Sequence, residues 1–158
     1  MNKTIIIYFS FTGNTERLAY FAGDFLKEKG KVVDYFKFPA DQTGSFLKNC
    51  RDAFTKKIIK IKELPDLSGY NLVFLGSPIW AWNVVPAMRA LLEQVSLAGK
   101  EVFIFATHGG GPGKAMTGFA KKVESKGGKV IGTYDVADKR ILQDFPTLKS
   151  LLEKLVNS

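Results

Sequence analysis

The sequence predicts an α/β fold: a doubly wound, five-stranded parallel sheet with helices on both faces. Two observations carry this expectation. Several apolar runs are continuous rather than alternating, as in Ile5–Phe9, Asn71–Gly76 and Glu101–Ala106, which fits strands covered on both sides. Between them lie polar turns and stretches whose apolar residues recur at three- and four-residue spacing, the helical signature.

The elements follow in order. The first strand ends near Phe9, and a helix is predicted from about Thr15 to Lys29. Its apolar face is Leu18, Phe21, Ala22, Phe25 and Leu26, and Gly30 stands where a helix commonly stops. Lys31–Lys37 reads as the second strand, closed by Pro39. Within residues 38–63, Phe46, Leu47, Cys50 and Phe54 fit one face of a helix. Cys50 is therefore expected to be buried and inert, with no histidine nearby in sequence to activate it. Pro65 and Gly69 frame a turn before the strand Asn71–Gly76. Further helical faces are Met88, Leu91, Leu92 and Val95; Met116, Phe119, Ala120 and Val123; and Leu148, Leu151, Leu152 and Leu155. Strands over Glu101–Ala106 and Val130–Val136 separate them. Five strands alternating with five helices argue for one domain, residues 1–158, without linkers or repeats.

Composition narrows the class. A chain of 158 residues with 46% hydrophobic and 24% charged content is ordinary for a globular protein. No apolar run approaches the ~20 residues of a membrane span. The N-terminal run reads as a strand rather than a signal peptide, because it leads into a helix without a small-residue cleavage site. One cysteine excludes an intrachain disulfide and a multi-cysteine metal site; the cytoplasm is the default compartment. The net charge of +8 is unusual. Residues 47–63 and 97–130 each hold six Lys/Arg against two acids. Few of these are arginines and no aromatics are interleaved, so a nucleic-acid surface is not indicated. A solvated lysine-rich surface and the steering of an acidic partner or small anion both remain open.

Chemistry is expected at the turns after the first, third and fourth strands, where open α/β sheets bind ligands. The first is Ser10-Phe11-Thr12-Gly13-Asn14-Thr15. A helix N-terminus offers unpaired N–H groups and partial positive charge to an anion. Ser10, Thr12, Asn14 and Thr15 add short donors, and Gly13 permits close backbone approach. One of these would be an ordinary cap; four in six positions exceed what a cap needs. No Lys or Arg lies between Ser10 and Glu16, so a phosphate there would be held by neutral donors and not transferred.

The run Ile6-Ile7-Tyr8-Phe9-Ser10-Phe11-Thr12-Gly13-Asn14-Thr15, followed by Ala19, resembles the flavodoxin signature, in which this loop cradles the phosphate of FMN. The resemblance implies strand order 2-1-3-4-5, with the cofactor at the switch point between strands one and three. The short connection from Val136 to Phe145 is similar to that of short-chain flavodoxins. Family members are typically acidic, and this chain is not.

The second turn, Gly76-Ser77-Pro78-Ile79-Trp80-Ala81-Trp82-Asn83, contains both tryptophans of the chain. Such rings can stack on a planar heterocycle, plug the sheet top or mark a protein interface. Gly76–Trp80 also resembles the loop that covers the flavin ring in flavodoxin-like families. That implies Trp80, then Trp82, as ring contacts, with Ser77, Pro78, Ile79 and Asn83 beside them. The third turn, Thr107-His108-Gly109-Gly110-Gly111-Pro112-Gly113-Lys114, exposes backbone donors before a helix. It fails the G-x-x-x-x-G-K-[ST] pattern at His108 and Ala115. The resemblance places Thr107, His108, Gly109, Gly110 and Gly111 beside the flavin's pyrimidine edge. His108, the only histidine, and Lys114 are candidate cations near a reduced, anionic flavin.

The resemblance thus implies an FMN-binding electron carrier, cycling through oxidised, semiquinone and hydroquinone flavin, with no catalytic dyad and no metal. Redox proteins, acidic ones among them, would be its partners, and a monomer or weak dimer its state. The alternative is an FMN-dependent NAD(P)H:quinone reductase or related oxidoreductase. A phosphate-receiving signalling domain is disfavoured, because Ser10 and Gly76-Ser77 stand where acids are needed. A dinucleotide site is disfavoured by the missing G-x-G-x-x-G.

Overall fold

The computed structural model describes residues 3–39, 61 and 63–158. Its strands are β1 (Lys3–Tyr8), β2 (Val32–Lys37), β3 (Leu72–Trp80), β4 (Asn83–Val84), β5 (Glu101–His108) and β6 (Lys129–Ala137). The helices are α1 (Asn14–Glu28), α2 (Pro86–Gln94), α3 (Ala115–Ser125) and α4 (Ile141–Asn157). The helix read from Phe46, Leu47, Cys50 and Phe54 lies outside the described residues.

The strand order is β2-β1-β3-β5-β6, all neighbours parallel. This is the expected 2-1-3-4-5 arrangement with one addition. The two-residue β4 pairs antiparallel with the end of β3, matching Ile79 to Val84 and Trp80 to Asn83.

The continuous apolar runs are buried on both faces, as their lack of alternation predicts. Successive β1 residues point to opposite sides. Ile5 and Ile7 join Val73, Leu75 and Ile104 in a layer with Met88 and Leu91 of α2 and Phe119 and Val123 of α3. Ile6 and Tyr8 join Phe74, Phe103 and Phe105 under α1 and α4. Each such side chain stabilises the fold by roughly 1.5–3 kcal/mol relative to exposure. Phe21 of α1 and Phe145 of α4 stack at 4.4 Å and 3°, joining those helices over β1 and β3. At the centre of the sheet Gly76 is obligatory, since a Cβ there would stand 2.2 Å from the Phe105 ring.

Two boundaries differ from the sequence expectation. β3 continues past Gly76 to Trp80, and β5 continues past Ala106 to His108. Ser77–Trp80 and Thr107–His108 are therefore strand residues rather than turn residues. Pro78 is tolerated because of where β1 stops. The Phe9 N–H donates to the Gly76 carbonyl at 3.1 Å, so Gly76 faces β1. Pro78, two residues on, faces the same side, beyond the last β1–β3 pair Tyr8–Gly76. Its missing N–H thus breaks no ladder bond. No helix among the described residues is long and apolar enough to cross a membrane.

Candidate functional site

β1 is followed by a crossover to β2 on one side, whereas the chain returns on the other side to form β3. The switch point therefore lies at the C-terminal ends of β1 and β3. Three segments converge there: Phe9–Gly13, the β3–β4 hairpin, and Gly109–Gly113 after β5.

The first segment is organised by Ser10. Its buried Oγ accepts the Gly13 N–H at 3.1 Å and the Glu16 N–H at 3.3 Å. Gly13, at φ 91°, occupies the left-handed region and caps α1 through its own carbonyl, which accepts the Arg17 N–H at 3.0 Å. The backbone amides of Thr12, Asn14 and Thr15 donate to no group among the described residues. Ser10 also keeps its own hydroxyl proton to donate. These donors, with the exposed Thr12 and half-buried Asn14 side chains, form a neutral anion cradle at a helix N-terminus.

The Thr15 side chain also has a partner within the fold. It is buried, and its Oγ1 meets Thr107 Oγ1 at 3.0 Å. Those two hydroxyls fasten α1 to the end of β5.

A second group was not visible in the sequence. The Tyr8 hydroxyl donates to Glu16 at 2.8 Å, and Lys37 Nζ lies 2.7 Å from the same carboxylate. Lys37 holds the Glu16 carboxyl below its ordinary range, with the Tyr8 bond acting in the same direction. Burial, then the Glu16 bond, pushes the Tyr8 phenol far up, so it stays a donor. Tyr8 and Lys37 are paired in the β1–β2 ladder, a register no local pattern reveals. Lys37 is thus engaged with Glu16 rather than with the open amides of this loop.

The hairpin carries the aromatic groups. Trp80, at the end of β3, meets the rings of Phe9 and Phe11 edge-on at 5.6 and 5.8 Å. Its plane is set by two perpendicular neighbours, a favourable aromatic geometry. The hairpin turns at Ala81 (φ 46°) and Trp82 (φ 58°), both left-handed non-glycine residues. Two positive φ angles in a two-residue loop match the type I′ turn, which usually takes Asn-Gly. Asn83 Nδ2 supports the turn by donating to the Ala81 carbonyl at 3.0 Å. Ser77 closes the base: its hydroxyl donates to Pro78 O at 2.7 Å and accepts the Val85 N–H at 3.1 Å. Trp82 is 68% exposed and rests against Gly113, where a Cβ would approach its ring to 2.9 Å. Trp80 therefore flanks the anion cradle and Trp82 flanks the glycine-rich loop.

His108 anchors that loop. Its Nδ1 accepts the Gly111 N–H at 2.9 Å, and its Nε2 faces Asp135 Oδ2 at 3.1 Å. A nitrogen that accepts an amide carries no proton, so Nε2 holds the ring hydrogen and donates it to Asp135. Both ring nitrogens are thus engaged, one by the loop amide and one by Asp135. Gly109 and Gly110 are exposed beside it, and Gly111 (φ 106°) takes a backbone shape open to glycine. Lys114 lies beyond, at the start of α3, facing the groove between α2 and α3.

The flavodoxin family profile matches residues 3–145. Among solved structures, the chain is similar to the two-electron reduced flavodoxin of Megasphaera elsdenii. The pair share 25% identity, cover 98% of this chain and 99% of that one, and superpose with a TM-score of 0.65. A Lactobacillus acidophilus flavoprotein solved in complex with FMN is 23% identical, covering 92% and 99%, with a TM-score of 0.67. Rubredoxin oxygen:oxidoreductase from Desulfovibrio gigas has the same fold over 99% of this chain but 36% of its own length. Its identity is 17% and its TM-score 0.69. No curated protein sequence matches. With its strand order, its first-turn signature and a profile match over most of its length, the chain belongs to the flavodoxin family.

Proposed function

We propose that the chain binds FMN as a single domain and carries electrons between larger redox proteins in the cytoplasm. One observation carries this reading: a neutral cradle of open amides at Thr12, Asn14 and Thr15 stands at the β1–β3 switch point, next to the fixed ring of Trp80. Neutral donors suit a phosphate that is held and never transferred.

The residues fit FMN. Ser10, Phe11, Thr12, Gly13, Asn14 and Thr15 would take the phosphate. Trp80, with Pro78, Ile79, Trp82 and Asn83 around it, would face the ring system. Gly109, Gly110 and Gly111 would supply backbone donors. Ser77, Thr107 and His108 act by holding these segments in place. FMN, when bound, supplies reversible one- and two-electron chemistry. The chain's own work is to orient the ring and shield it from water.

Both nitrogens of His108 are engaged, one by the Gly111 amide and one by Asp135. This favours a carrier over a quinone reductase. The test is NAD(P)H oxidation by the FMN-loaded protein. The reading expects negligible turnover alone and rapid flavin reduction once a flavoprotein reductase is added. Fast, catalytic turnover without the reductase would make the protein an enzyme instead.

A further inference from the structure

Glu16 places a carboxylate in the turn that carries the anion cradle. It is the third residue of α1, and its N–H donates to the same Ser10 Oγ that takes the Gly13 N–H. A negative side chain at a helix N-terminus favours the helix. It also repels any phosphate held at that end, so the cradle as built by the first turn alone would work against its own ligand.

Lys37 answers that charge from the neighbouring strand. Its Nζ lies 2.7 Å from Glu16 Oε2, the oxygen that also accepts the Tyr8 hydroxyl at 2.8 Å. Tyr8 and Lys37 form the last pair of the β1–β2 ladder, so sheet register delivers the ammonium to the end of β1, where the cradle begins. The Lys37 hydrogen bond does most to hold the Glu16 carboxyl below its ordinary range. Stability alone gives the lysine little to do, because its side chain is 47% exposed and ion pairs so exposed contribute little to folding. Removing Lys37 would leave the negative charge in place, since an ordinary glutamate is ionised at neutral pH.

The same two strands carry a matching bridge at their other end. Lys3 Nζ lies 3.3 Å from Asp34 Oδ2, and the Tyr70 hydroxyl donates to that oxygen at 2.8 Å. Lysine, carboxylate and tyrosine recur there, but at the start of β1, far along the strand from the cradle. It supplies an internal control for a loss of one positive charge.

We propose that Lys37 is a positioning residue for phosphate recognition. By matching Glu16 it removes a like-charge penalty from the cradle, and so sets how strongly the chain prefers FMN to riboflavin. The inference rests on the flavin reading and adds to it a residue that acts through Glu16.

The test is a spectroscopic titration with FMN and with riboflavin, at low and at high ionic strength. Wild type is compared with Lys37→Gln, Glu16→Gln/Lys37→Gln and Lys3→Gln. Lys37→Gln should bind FMN about threefold to tenfold more weakly and riboflavin as wild type does. The loss should shrink as salt is raised. The double variant should recover FMN affinity to within about twofold of wild type, and Lys3→Gln should show no loss. Unchanged FMN affinity in Lys37→Gln, equal losses for the two flavins, a loss that salt does not reduce, no recovery in the double variant, or a loss as large in Lys3→Gln would overturn the role of Lys37 while leaving flavin binding intact. Wild type that binds neither flavin, or both equally, would contradict the cradle itself and the role of Lys37 with it.

Discussion

Thr15 Oγ1 and Thr107 Oγ1 lie 3.0 Å apart, binding the first turn of α1 to the last residues of β5 across the top of the sheet. Both residues are about 1% exposed, so neither hydroxyl has water as a substitute. Thr107→Val keeps the shape and removes the partner. It should lower stability by about 1–2 kcal/mol. The Thr15→Val/Thr107→Val pair should lose less than the sum of the two single variants. Urea denaturation of the four proteins measures this coupling directly.

The Ala81–Trp82 turn stores backbone strain. A left-handed conformation costs an ordinary L-residue roughly 1–2 kcal/mol, and glycine avoids that cost. Ala81→Gly should therefore stabilise the protein, raising Tm by about 2–4 °C. Gly113→Ala should do the reverse, because Gly113 combines φ 55° with a Cβ position 2.9 Å from the Trp82 ring. Thermal unfolding of both variants checks the pair of signs.

Glu16 makes stability pH-dependent in a defined direction. Its carboxyl is lowered from 4.5 by Lys37 and Tyr8. A depressed folded-state pKa contributes stability that is present above the unfolded value and lost as pH falls through the folded one. Glu16→Gln should thus be less stable than wild type at pH 7. The difference should shrink as the pH drops below 4.5 and continue to fall beneath it. Denaturation series at both ends of that range give the comparison.

The His108–Gly111 bond makes the imidazole a positioning group for the glycine-rich loop. His108→Phe removes the acceptor for the Gly111 N–H and the donor to Asp135. Hydrogen exchange at the Gly111 amide should quicken by on the order of fivefold, the kinetic equivalent of one ordinary hydrogen bond. His108→Asn, which can still accept that amide, should restore part of the protection.

Much of this molecule was legible in its sequence, for identifiable reasons. Strands buried on both faces write themselves as unbroken apolar runs, so β1, β3 and β5 were visible. The helical faces at Leu18–Leu26 and Leu148–Leu155 followed from spacing alone. Ser10–Thr15 showed itself as an excess of short donors over what one cap requires. The end of β3 was hidden because Pro78 normally stops a strand, and its tolerance depends on β1 ending one rung earlier. The β3–β4 hairpin was hidden because Ala-Trp is an uncommon pair for a type I′ turn. Tyr8–Glu16–Lys37, Thr15–Thr107 and His108–Asp135 all join residues distant in sequence, through sheet register or the packing of α1 on the sheet. Such pairings are tertiary facts, and no local pattern encodes them.

The most direct test of the central claim is a spectroscopic titration of the cofactor-free protein with FMN and, separately, with riboflavin. Wild type should bind FMN with shifted flavin bands and bind riboflavin more weakly. Thr12→Ala and Asn14→Ala should each weaken FMN by about fivefold to tenfold, in line with the loss of one charge-assisted hydrogen bond. Riboflavin affinity should stay nearly constant in both variants. Equal losses for FMN and riboflavin, or no flavin binding at micromolar concentration, would contradict the phosphate cradle.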